Sequence, residues 1–576
     1  MKQIQELKQR FQHVFHENLR DMMNYAATQY KGDTAFIIKH KDKKEVSYEY
    51  ITFEKFRDDV NGFGTSMLQK GWQGKRIAVI GKNRYEWVVA YFASQCGLGL
   101  CVPLDRGLPY DELESSLERS YADVLVFDPE QLPVVEELKR RGTTKVTEFV
   151  CMDPAEGYED VRALAKAGQQ AIAGGFRDYF DLPIDSTATS LILFTSGTTS
   201  MAKAVQLSQR NLTSNVYAML ISEDLRHGDV SMAFLPYHHT FGAIAQLDMI
   251  AGGIVTTYCD GLKYLQKNIV EYKVTIFVCV PLLVESIYKK IMATVKKQGL
   301  EKKVQLGLKI SKALLKIGID VRRKIFKQIL DQLGGNIRFV ISGAAAIDPE
   351  ALEGFINFGI MAVQGYGMTE SAPVLAAESH WERKTGSIGR AMPGVELRID
   401  CPNEEGIGEL IGRGPNIMLG YYENEEETNK VLKDGWLHTG DLASLDEDGY
   451  IFLHGRKKNV IVLKNGKNIY PEELEILIAN LPYAEESMVF GQKRHDDSDE
   501  RDLVICAKIV YNKDYMKETY KTEDPEEIQR IIKKDIDGIN EDLPIYKQML
   551  RVITTDQPMI KTTTGKVKRF EEVKKL

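Results

Sequence analysis

The sequence lacks long apolar runs, and no stretch approaches the ~20 residues that a helix needs to cross a bilayer. The first residues, MKQIQELKQRFQHVF, are charged and amphipathic and lack the apolar centre of a secretory signal. With 576 residues, of which 43% are hydrophobic and 27% charged, the chain has an ordinary globular composition. We therefore expect a cytoplasmic protein of two or more domains.

Several kinds of functional site are missing as well. The seven cysteines are an odd number without a C-x-x-C pair, which argues against a disulfide framework and against a zinc or redox motif. The chain has no G-x-S-x-G, H-E-x-x-H or G-x-G-x-x-G motif, so the common hydrolase, zinc-protease and dinucleotide-binding signatures are absent. A net charge of −7 gives no reason to expect a nucleic-acid partner.

The charge is unevenly distributed. Residues 289–327 contain thirteen lysines and arginines but only two carboxylates. Five apolar residues recur there at helical spacing: Ile310, Leu314, Ile317, Val321 and Ile325. This pattern predicts one helix with an apolar face. We favour a helix packed on its own domain with a solvated basic face; the alternative is a peripheral contact of this 289–327 basic helical stretch with an anionic membrane.

Alternating patterns predict the fold class. In residues 1–180, apolar strand patterns alternate with helical ones, as in KRIAVIG followed by YEWVVAYFASQCGLGLC. Such alternation predicts an α/β fold with doubly wound parallel sheets. Short strands punctuated by turns predict a β-rich subdomain over 394–456, and the later helices and strands predict a small α+β unit. We expect a large domain over 1–456 and a second domain over 457–576.

Residues 187–208, TATSLILFTSGTTSMAKAVQLS, predict two apolar strands joined by a loop of threonine, serine and glycine. The loop and Lys203 offer backbone N–H groups, hydroxyls and one cation, which suit a polyphosphate. The loop differs from the P-loop of kinases and motor ATPases, because Ala202 and Ala204 flank Lys203 and a strand follows. Alone, a Ser/Thr-rich turn between buried strands is an equally good interpretation.

Four further stretches combine glycines with polar or aromatic residues: 235–242 (LPYHHTFG), 364–373 (QGYGMTESAP), 435–459 (GWLHTGDLASLDEDGYIFLHGRKKN) and 562–570 (TTTGKVKRF). Together with the loop, and in this order, they resemble the adenylate-forming, or AMP-binding, superfamily of acyl-CoA synthetases, adenylation domains and luciferases. The helical insert before SGAAAIDPE and the KTTTGKVKRF ending resemble bacterial long-chain fatty acid–CoA ligases most.

The resemblance implies a two-step reaction and a mobile C-terminal domain. In the first step, a fatty acid or other carboxylate attacks the α-phosphorus of ATP and gives acyl-AMP and pyrophosphate. In the second, the CoA thiol attacks the acyl carbon and AMP leaves. The resemblance therefore implies ATP and CoA as substrates and Mg²⁺ as the metal. The C-terminal domain would rotate between the steps about a hinge at Lys458.

The resemblance also assigns residues. Those expected to bind ATP are Thr195, Ser196, Gly197, Thr198, Thr199, Lys203, Gly343, Ala344, Gly365, Tyr366, Gly367, Met368, Thr369, Asp441 and Arg456. Among them, Tyr366 would stack on adenine, while Asp441 and Arg456 would bind the ribose hydroxyls. Glu370, with Thr195 or Thr369, would hold Mg²⁺ on the phosphates.

Three residues are expected to act on the reacting atoms by resemblance: Lys566, His239 and Glu370. Lys566 would bridge the substrate carboxylate and the α-phosphate, although nothing local distinguishes it from Lys561 or Lys568. His239, favoured over His238, would line the acyl pocket with Phe241. In the second step, the loop containing Gly466 and Lys467 would line the channel for the pantetheine arm of CoA.

The sequence departs from the family pattern in places. The family loop is usually T-S-G-T-T-G-x-P-K-G, but this chain has Ser200, Ala202 and Ala204, and the hinge is more often aspartate than lysine. The added Cβ atoms would alter ATP affinity or loop mobility if positive φ is needed there. Two alternatives stay open: an acyl-adenylate ligase that delivers to an acyl carrier protein, and a nucleotide-binding regulatory homologue without turnover.

Overall fold

The computed structural model describes residues 13–42, 45–195, 202–464, 466–494, 501–561 and 566–575. Contacts divide the chain into two compact units. The first takes its described residues from Met1–Thr195, Lys203–Leu397 and Gly412–Leu437, and the second from Ser196–Ala202, Arg398–Ile411 and His438–Leu576. The predicted hinge at Lys458 lies within the second of these units, and the domain limits at 456 and 457 stay a prediction.

The helices in chain order are α1 (Leu19–Gln29), α2 (Phe53–Gln69), α3 (Tyr85–Ala93), α4 (Tyr110–Arg119), α5 (Leu132–Arg141), α6 (Val161–Ala173), α7 (Gln209–Ser222), α8 (Thr240–Ala251), α9 (Leu265–Glu271), α10 (Pro281–Lys297), α11 (Glu301–Leu315), α12 (Arg322–Ile325), α13 (Lys327–Gln332), α14 (Pro349–Asn357), α15 (Glu425–Val431), α16 (Pro471–Ala479), α17 (Lys513–Tyr515), α18 (Pro525–Glu541) and α19 (Arg569–Val573).

The strands are β1 (Thr34–Asp42), β2 (Glu45–Thr52), β3 (Arg76–Ile80), β4 (Leu100–Leu104), β5 (Val124–Phe127), β6 (Glu148–Cys151), β7 (Glu159–Asp160), β8 (Thr189–Thr195), β9 (Lys203–Ser208), β10 (Val230–Ala233), β11 (Val255–Tyr258), β12 (Ile276–Cys279), β13 (Phe339–Ser342), β14 (Met361–Gly367), β15 (Val374–Ala377), β16 (Arg390–Ala391), β17 (Glu396–Asp400), β18 (Gly408–Arg413), β19 (Gly420–Tyr421), β20 (Leu432–Lys433), β21 (Trp436–Leu445), β22 (Ile451–Arg456), β23 (Ile461–Val462), β24 (Asn468–Ile469), β25 (Ala484–Lys493), β26 (Leu503–Tyr511) and β27 (Met549–Thr555).

Two large sheets build the first unit. One has the order β19-β9-β8-β4-β3-β5-β6-β7 and the other β16-β15-β14-β13-β12-β10-β11-β1-β2. Their central strands are parallel and nearly continuously apolar, because both faces are covered. In β3, for example, Ile77 and Val79 lie in the largest core, whereas Ala78 and Ile80 lie in a separate core on the other face. This arrangement confirms the predicted α/β class with wound parallel sheets.

The second unit is smaller and mixes strands and helices. Strands β17, β18, β21 and β22 form the β-rich part, and β25, β26 and β27 form a separate sheet. Helices α16 and α18 pack there through Leu474, Ile478, Ile528, Ile532 and Ile536 in one core cluster. The sequence patterns thus predicted both the β-rich and the α+β segments.

The prediction of one helix over residues 310–325 of the basic stretch is wrong, because the structure has two separate helices there. Helix α11 ends at Leu315, and a turn through Gly318, with φ +79°, separates it from the short helix α12. Left-handed backbone favours glycine and terminates a helix. The apolar residues at helical spacing therefore do not form one continuous face.

Two expectations about composition can be compared with the structure. Five of the seven cysteines are buried, and none of the seven forms a disulfide. Among the described residues, no helix has both the length and the apolar character needed to span a membrane.

Candidate active site

Several predicted residues lie near the carboxyl ends of parallel strands in the nine-stranded sheet, which runs from β16 to β2. Strands β12, β13 and β14 run parallel, and the last pair between β13 and β14 joins Ser342 to Gln364. Gly343 therefore follows the carboxyl end of β13, and Gly365 lies in β14 just beyond its parallel pairing with β13. A Cβ added to Gly343 would lie 3.1 Å from the Phe241 ring and 3.3 Å from the Gly365 carbonyl oxygen. The structure thus brings Gly343, Gly365 and Phe241 together, at the strand ends where α/β sheets usually bind ligands.

The next residues of β14 continue along this edge. Tyr366 is partly exposed and pairs with Ala376 of β15. Gly367, Met368 and Thr369 follow it into the turn that contains Glu370. Ala344, which the resemblance assigns to the ATP site, is exposed and has a positive φ of +74°. Stacking of adenine on Tyr366 stays a prediction.

The predicted phosphate loop joins β8 to β9. Thr195 ends β8 directly opposite Lys203, the first residue of β9, and its hydroxyl donates to the Lys203 carbonyl at 3.4 Å. Ser196, Gly197, Thr198 and Thr199 lie outside the described residues. The strain expected from the lost glycine is absent at position 204, because Ala204 is buried in strand β9 and is not among the residues with positive φ.

A second strand pairing places an acid beside this hairpin. Strand β19 pairs with β9, so Tyr421 lies opposite Val205, and the Lys203 ammonium is 4.7 Å from the centre of the Tyr421 ring. The Tyr421 hydroxyl donates to Glu370 Oε1 at 2.8 Å. Burial and the Glu370 carboxylate raise the pKa of Tyr421, so it stays a donor. Tyr421 therefore links two predicted functional residues, Lys203 and Glu370.

Lys203 has an anionic partner in this structure. Its ammonium lies 2.6 Å from Glu427 Oε2 at the start of α15. Hydrogen bonds from Lys203 and Lys430 lower the pKa of Glu427 to about 2. A polyphosphate bound at the hairpin would compete with Glu427 for the Lys203 ammonium, because both are anions.

Glu370 has the chemistry that Mg²⁺ requires. It is only 9% exposed, and its backbone carbonyl accepts from the Met418 N–H at 2.9 Å, which fixes its position. Among the described residues, one carboxylate oxygen accepts from Tyr421 and the other accepts no hydrogen bond. A hard carboxylate oxygen, with the Thr195 hydroxyl as the second predicted ligand, fits a magnesium ion on phosphates.

The two histidines precede helix α8. His238 Nε2 lies 3.5 Å from Asp105 Oδ2, and the two imidazole rings are 5.5 Å apart. His239 is the residue immediately before the helix, and Phe241 lies in its first turn. The pairing of His238 with Asp105 is consistent with the choice of His239 as the residue nearer to the substrate, which stays a prediction.

A cavity lies beside this helix start. It is bounded by Leu235, Tyr237 and Gly242, together with residues of β10 and α8, and has room for about 20 Å³. A chain of hydrogen bonds closes one side: the Tyr237 hydroxyl donates to Gln246 at 2.6 Å, and the Gln246 amide donates to Thr256 at 3.1 Å. This volume holds about one water molecule, so an acyl chain could enter only after side chains move.

Replacing Gly242 with alanine is expected to destabilise this region. The new Cβ would lie 2.2 Å from the Pro236 carbonyl oxygen and 2.7 Å from that of Leu235, so the segment containing both histidines must shift. We expect a loss of about 1–3 kcal/mol, typical of overpacking, in urea unfolding followed by tryptophan fluorescence. Trp87 reports locally, because its ring is 5.2 Å from that of Tyr237.

Gly538→Ala is the matched control. Gly538 lies inside α18 and a Cβ there meets nothing within 4 Å, so alanine should stabilise that helix by up to about 1 kcal/mol. Equal unfolding midpoints for the Gly242 variant and the wild type would show that the close approach at Pro236 is not constraining.

In the second unit, the two residues predicted to bind the ribose form an ion pair with each other. Asp441 and Arg456 face each other across β21 and β22, and Arg456 Nε lies 2.7 Å from Asp441 Oδ1. Asp441 is largely buried and Arg456 is half exposed. An acceptor and a donor side by side could bind the two hydroxyls of a ribose.

The predicted hinge follows directly. Lys458 lies in a short helical turn over Lys457–Asn459, and its neighbour Lys457 pairs with Glu409 at 2.9 Å. Oxygen and nitrogen atoms of Glu409, Asp400 and His438 lie within 4.8 Å of one another, as in some metal sites. Because the Lys457 ammonium and the Gly440 N–H already bind Glu409, we assign no metal there.

The remaining predicted residues lie in the second unit. Gly466 has a φ of +78° between β23 and β24, as a tight turn requires, and the Lys467 ammonium is 4.0 Å from the centre of the Tyr546 ring. Lys566 is exposed. The two other lysines considered for this role form ion pairs: Lys561 with Glu486 at 2.6 Å, and Lys568 with Glu571 at 3.3 Å.

The sequence interpretation missed Tyr421 and Glu427. Both lie in the stretch GYYENEEET, where the only local signal is a pair of aromatics after a glycine in a polar segment. No spacing rule connects residue 421 with residue 370, because their contact depends on the pairing of β19 with β9.

Comparison with known proteins identifies the family. The model of the AMP-binding enzyme family matches residues 23–422, and that of the AMP-binding enzyme C-terminal domain matches residues 458–575. The long-chain-fatty-acid–CoA ligase FadD15 of Mycobacterium bovis is 27% identical over 470 residues, 77% of this chain and 76% of that protein. Long-chain-fatty-acid–CoA ligase 6 of Mus musculus is 27% identical over 568 residues, 92% of this chain and 78% of that protein.

Solved structures share the fold. The anthranilate CoA ligase AuaEII, in complex with anthranoyl-AMP, superposes with a TM-score of 0.73 at 20% identity, covering 98% of this chain and 97% of that chain. The o-succinylbenzoate CoA synthetase (MenE) of Bacillus subtilis, in complex with ATP and magnesium ion, gives a TM-score of 0.70 at 21% identity, covering 96% and 99%. The fold predicted from the motifs is confirmed, and the chain belongs to the AMP-binding enzyme family.

Proposed function

We propose that the protein is an ATP-dependent fatty acid–CoA ligase that forms acyl-AMP and then acyl-CoA. The observation that supports this most strongly is the arrangement of Lys203, Tyr421 and Glu370 beside the β8–β9 hairpin. One cation and one carboxylate would then act together with the hydroxyl-rich sequence that joins β8 to β9. The names of the relatives, long-chain-fatty-acid–CoA ligases, support a fatty acid as the carboxylate.

In the first step, a carboxylate oxygen of the fatty acid attacks the α-phosphorus of ATP, and the bond to the bridging oxygen of pyrophosphate breaks. Negative charge develops on the leaving pyrophosphate as this bond breaks. The protein must therefore mainly neutralise that charge and hold the reactants in position. Lys203 and the hairpin would hold the phosphates, and Glu370 with Thr195 would hold Mg²⁺. The bound metal would supply charge neutralisation.

The other predicted residues would position the reactants. Tyr366 and Gly343 would enclose the adenine, and Asp441 with Arg456 would hold the ribose. The ammonium of Lys566 would contact the substrate carboxylate and the α-phosphate together. His239 and Phe241 would border the acyl group beside the cavity at Gly242.

In the second step, the CoA sulfur attacks the acyl carbon, the bond to the AMP oxygen breaks, and the thiol proton passes to solvent. We propose that the C-terminal domain rotates about Lys458 between the steps, so that the turn at Gly466 replaces Lys566. Glycine at φ +78° permits the tight turn that the pantetheine channel would require.

The test is a pyrophosphate-release assay with Mg-ATP and straight-chain acids from acetate to palmitate, with and without CoA. Mass spectrometry would identify acyl-AMP and acyl-CoA. We expect CoA-dependent acyl-CoA, with the longer acids preferred because each buried CH₂ contributes about 0.8 kcal/mol. Acyl-AMP that accumulates whether or not CoA is added would favour delivery to a carrier protein. ATP binding without turnover would favour the regulatory homologue.

A further inference from the structure

Helix α11 packs on the first unit through one face only. Val304 and Leu308 contact the core cluster that contains Phe326 and Leu330. A Cβ on Gly307 would lie 2.9 Å from Ile325, so this side of the helix is in close contact with the segment that follows. The opposite side of the helix faces solvent.

The solvent face is unusually apolar. Leu306 is 59% exposed and Ile310 is 44% exposed, and the two lie one turn apart on the same face of α11. In the turn that follows the helix, Ile317 is 69% exposed and Ile319 is 49% exposed. Grouped aliphatic side chains in water mark a contact surface more often than single ones do.

Lysines surround these side chains. Residues 302–319 include no acidic residue and five lysines: Lys302, Lys303, Lys309, Lys312 and Lys316. All five are exposed, and within the described part of the chain none of them forms an ion pair. A helix with lysines beside an exposed apolar face is typical of segments that lie in a membrane interface.

We propose that this surface, defined by Leu306, Ile310, Ile317, Ile319 and the five lysines, binds the face of an anionic phospholipid bilayer. The aliphatic side chains would enter the boundary of the acyl chains, and the lysines would reach the phosphates above it. An acidic protein would match the charge but would present mostly polar surface to four aliphatic side chains. A bilayer supplies both environments at adjacent depths, so the observations favour lipid.

The basic residues nearest to this surface have a different role. Arg323 donates to the carbonyl oxygens of Ile337 at 2.8 Å and Gly335 at 2.7 Å, and Arg322 donates to that of Ile356 at 2.8 Å. These arginines hold the segment onto the unit. Charge reversal at Arg322 or Arg323 would therefore disturb the fold, and the test must use the lysines.

The experiment measures binding of the full chain to vesicles of phosphatidylcholine with phosphatidylglycerol, and to vesicles of phosphatidylcholine alone, by co-flotation. One variant combines Lys309→Glu, Lys312→Glu and Lys316→Glu. A second combines Leu306→Ser, Ile310→Ser and Ile317→Ser. The matched control, Lys31→Glu, Lys533→Glu and Lys534→Glu, makes the same charge change at exposed lysines elsewhere. Circular dichroism would verify that each variant is folded.

We expect the wild type and the control to bind the anionic vesicles at least tenfold more tightly than the neutral ones, and less tightly as salt is added. Both surface variants should lose at least tenfold of that affinity. Amide exchange should slow within 301–319 when anionic vesicles are added. Equal binding by the charge-reversal variant and the control would overturn the proposal, as would equal binding by the serine variant and the control. Neither outcome depends on ligase activity, so failure here is distinguishable from failure of the proposed function.

Discussion

Replacing Lys566 with alanine is expected to lower the rate of acyl-AMP formation by about 10²–10³-fold, the usual effect of removing one preorganised donor to a developing charge. The proposed reason is that the Lys566 ammonium contacts the attacking carboxylate and the α-phosphate at once. Alanine would leave the repulsion between these two anions unrelieved. The measurement is ATP–pyrophosphate exchange with the fatty acid that gives the highest rate.

Two further measurements make this prediction specific to one lysine. Lys561→Ala and Lys568→Ala remove ammonium groups that pair with Glu486 and Glu571, and we expect at most a small change in exchange rate. The Lys566 variant should still convert supplied acyl-AMP and CoA to acyl-CoA, because the proposed second step does not use this residue. An equal loss of exchange in all three variants would instead indicate a general effect of positive charge near the C-terminus.

Local sequence patterns were sufficient to predict much of the fold and part of the candidate site. Strands such as β3 and β13 are short apolar runs whose residues are buried on both faces, which is the signal of a covered parallel sheet. Some predicted site residues lie close together because they belong to strands that pair with each other. Gly343 and Gly365 meet because each comes directly after one member of the paired residues Ser342 and Gln364 of neighbouring parallel strands. Asp441 faces Arg456 because a hairpin joins β21 to β22.

Contacts between distant segments were not predictable in the same way. The bond from Tyr421 to Glu370 depends on β19 joining the edge of a sheet more than two hundred residues after β9. The carbonyl contacts of Arg323 likewise depend on packing, so its charge alone suggested a solvated role. The break after Leu315 had a local signal, Gly318, but the recurring apolar residues favoured a continuous helix.

Glu370→Gln is expected to lower kcat/KM for acyl-AMP formation by about 10²–10³-fold and to raise the Mg²⁺ concentration needed for half-maximal rate. Glutamine has nearly the same shape, and its amide oxygen can still accept from the Tyr421 hydroxyl. It lacks the negative charge that a hard divalent cation prefers. The substitution therefore changes the charge at the proposed metal ligand while the local packing is retained. Pyrophosphate release across a Mg²⁺ titration is the measurement.

Replacing Tyr421 with phenylalanine tests the orientation of the Glu370 carboxylate without removing its charge. The carboxylate would remain, but it would lose the hydrogen bond that orients Oε1, so we expect a decrease of about tenfold that added Mg²⁺ partly restores. Glu423→Gln, at an exposed carboxylate two residues away, should leave the Mg²⁺ dependence unchanged. If Glu370→Gln lowered the rate without shifting the Mg²⁺ requirement, the negative charge of Glu370 would act by strengthening its hydrogen bond from Tyr421 and not by holding the metal. Thermal unfolding of the two variants would then show a shared loss of stability, because both would weaken the same contact between β19 and the turn at Glu370.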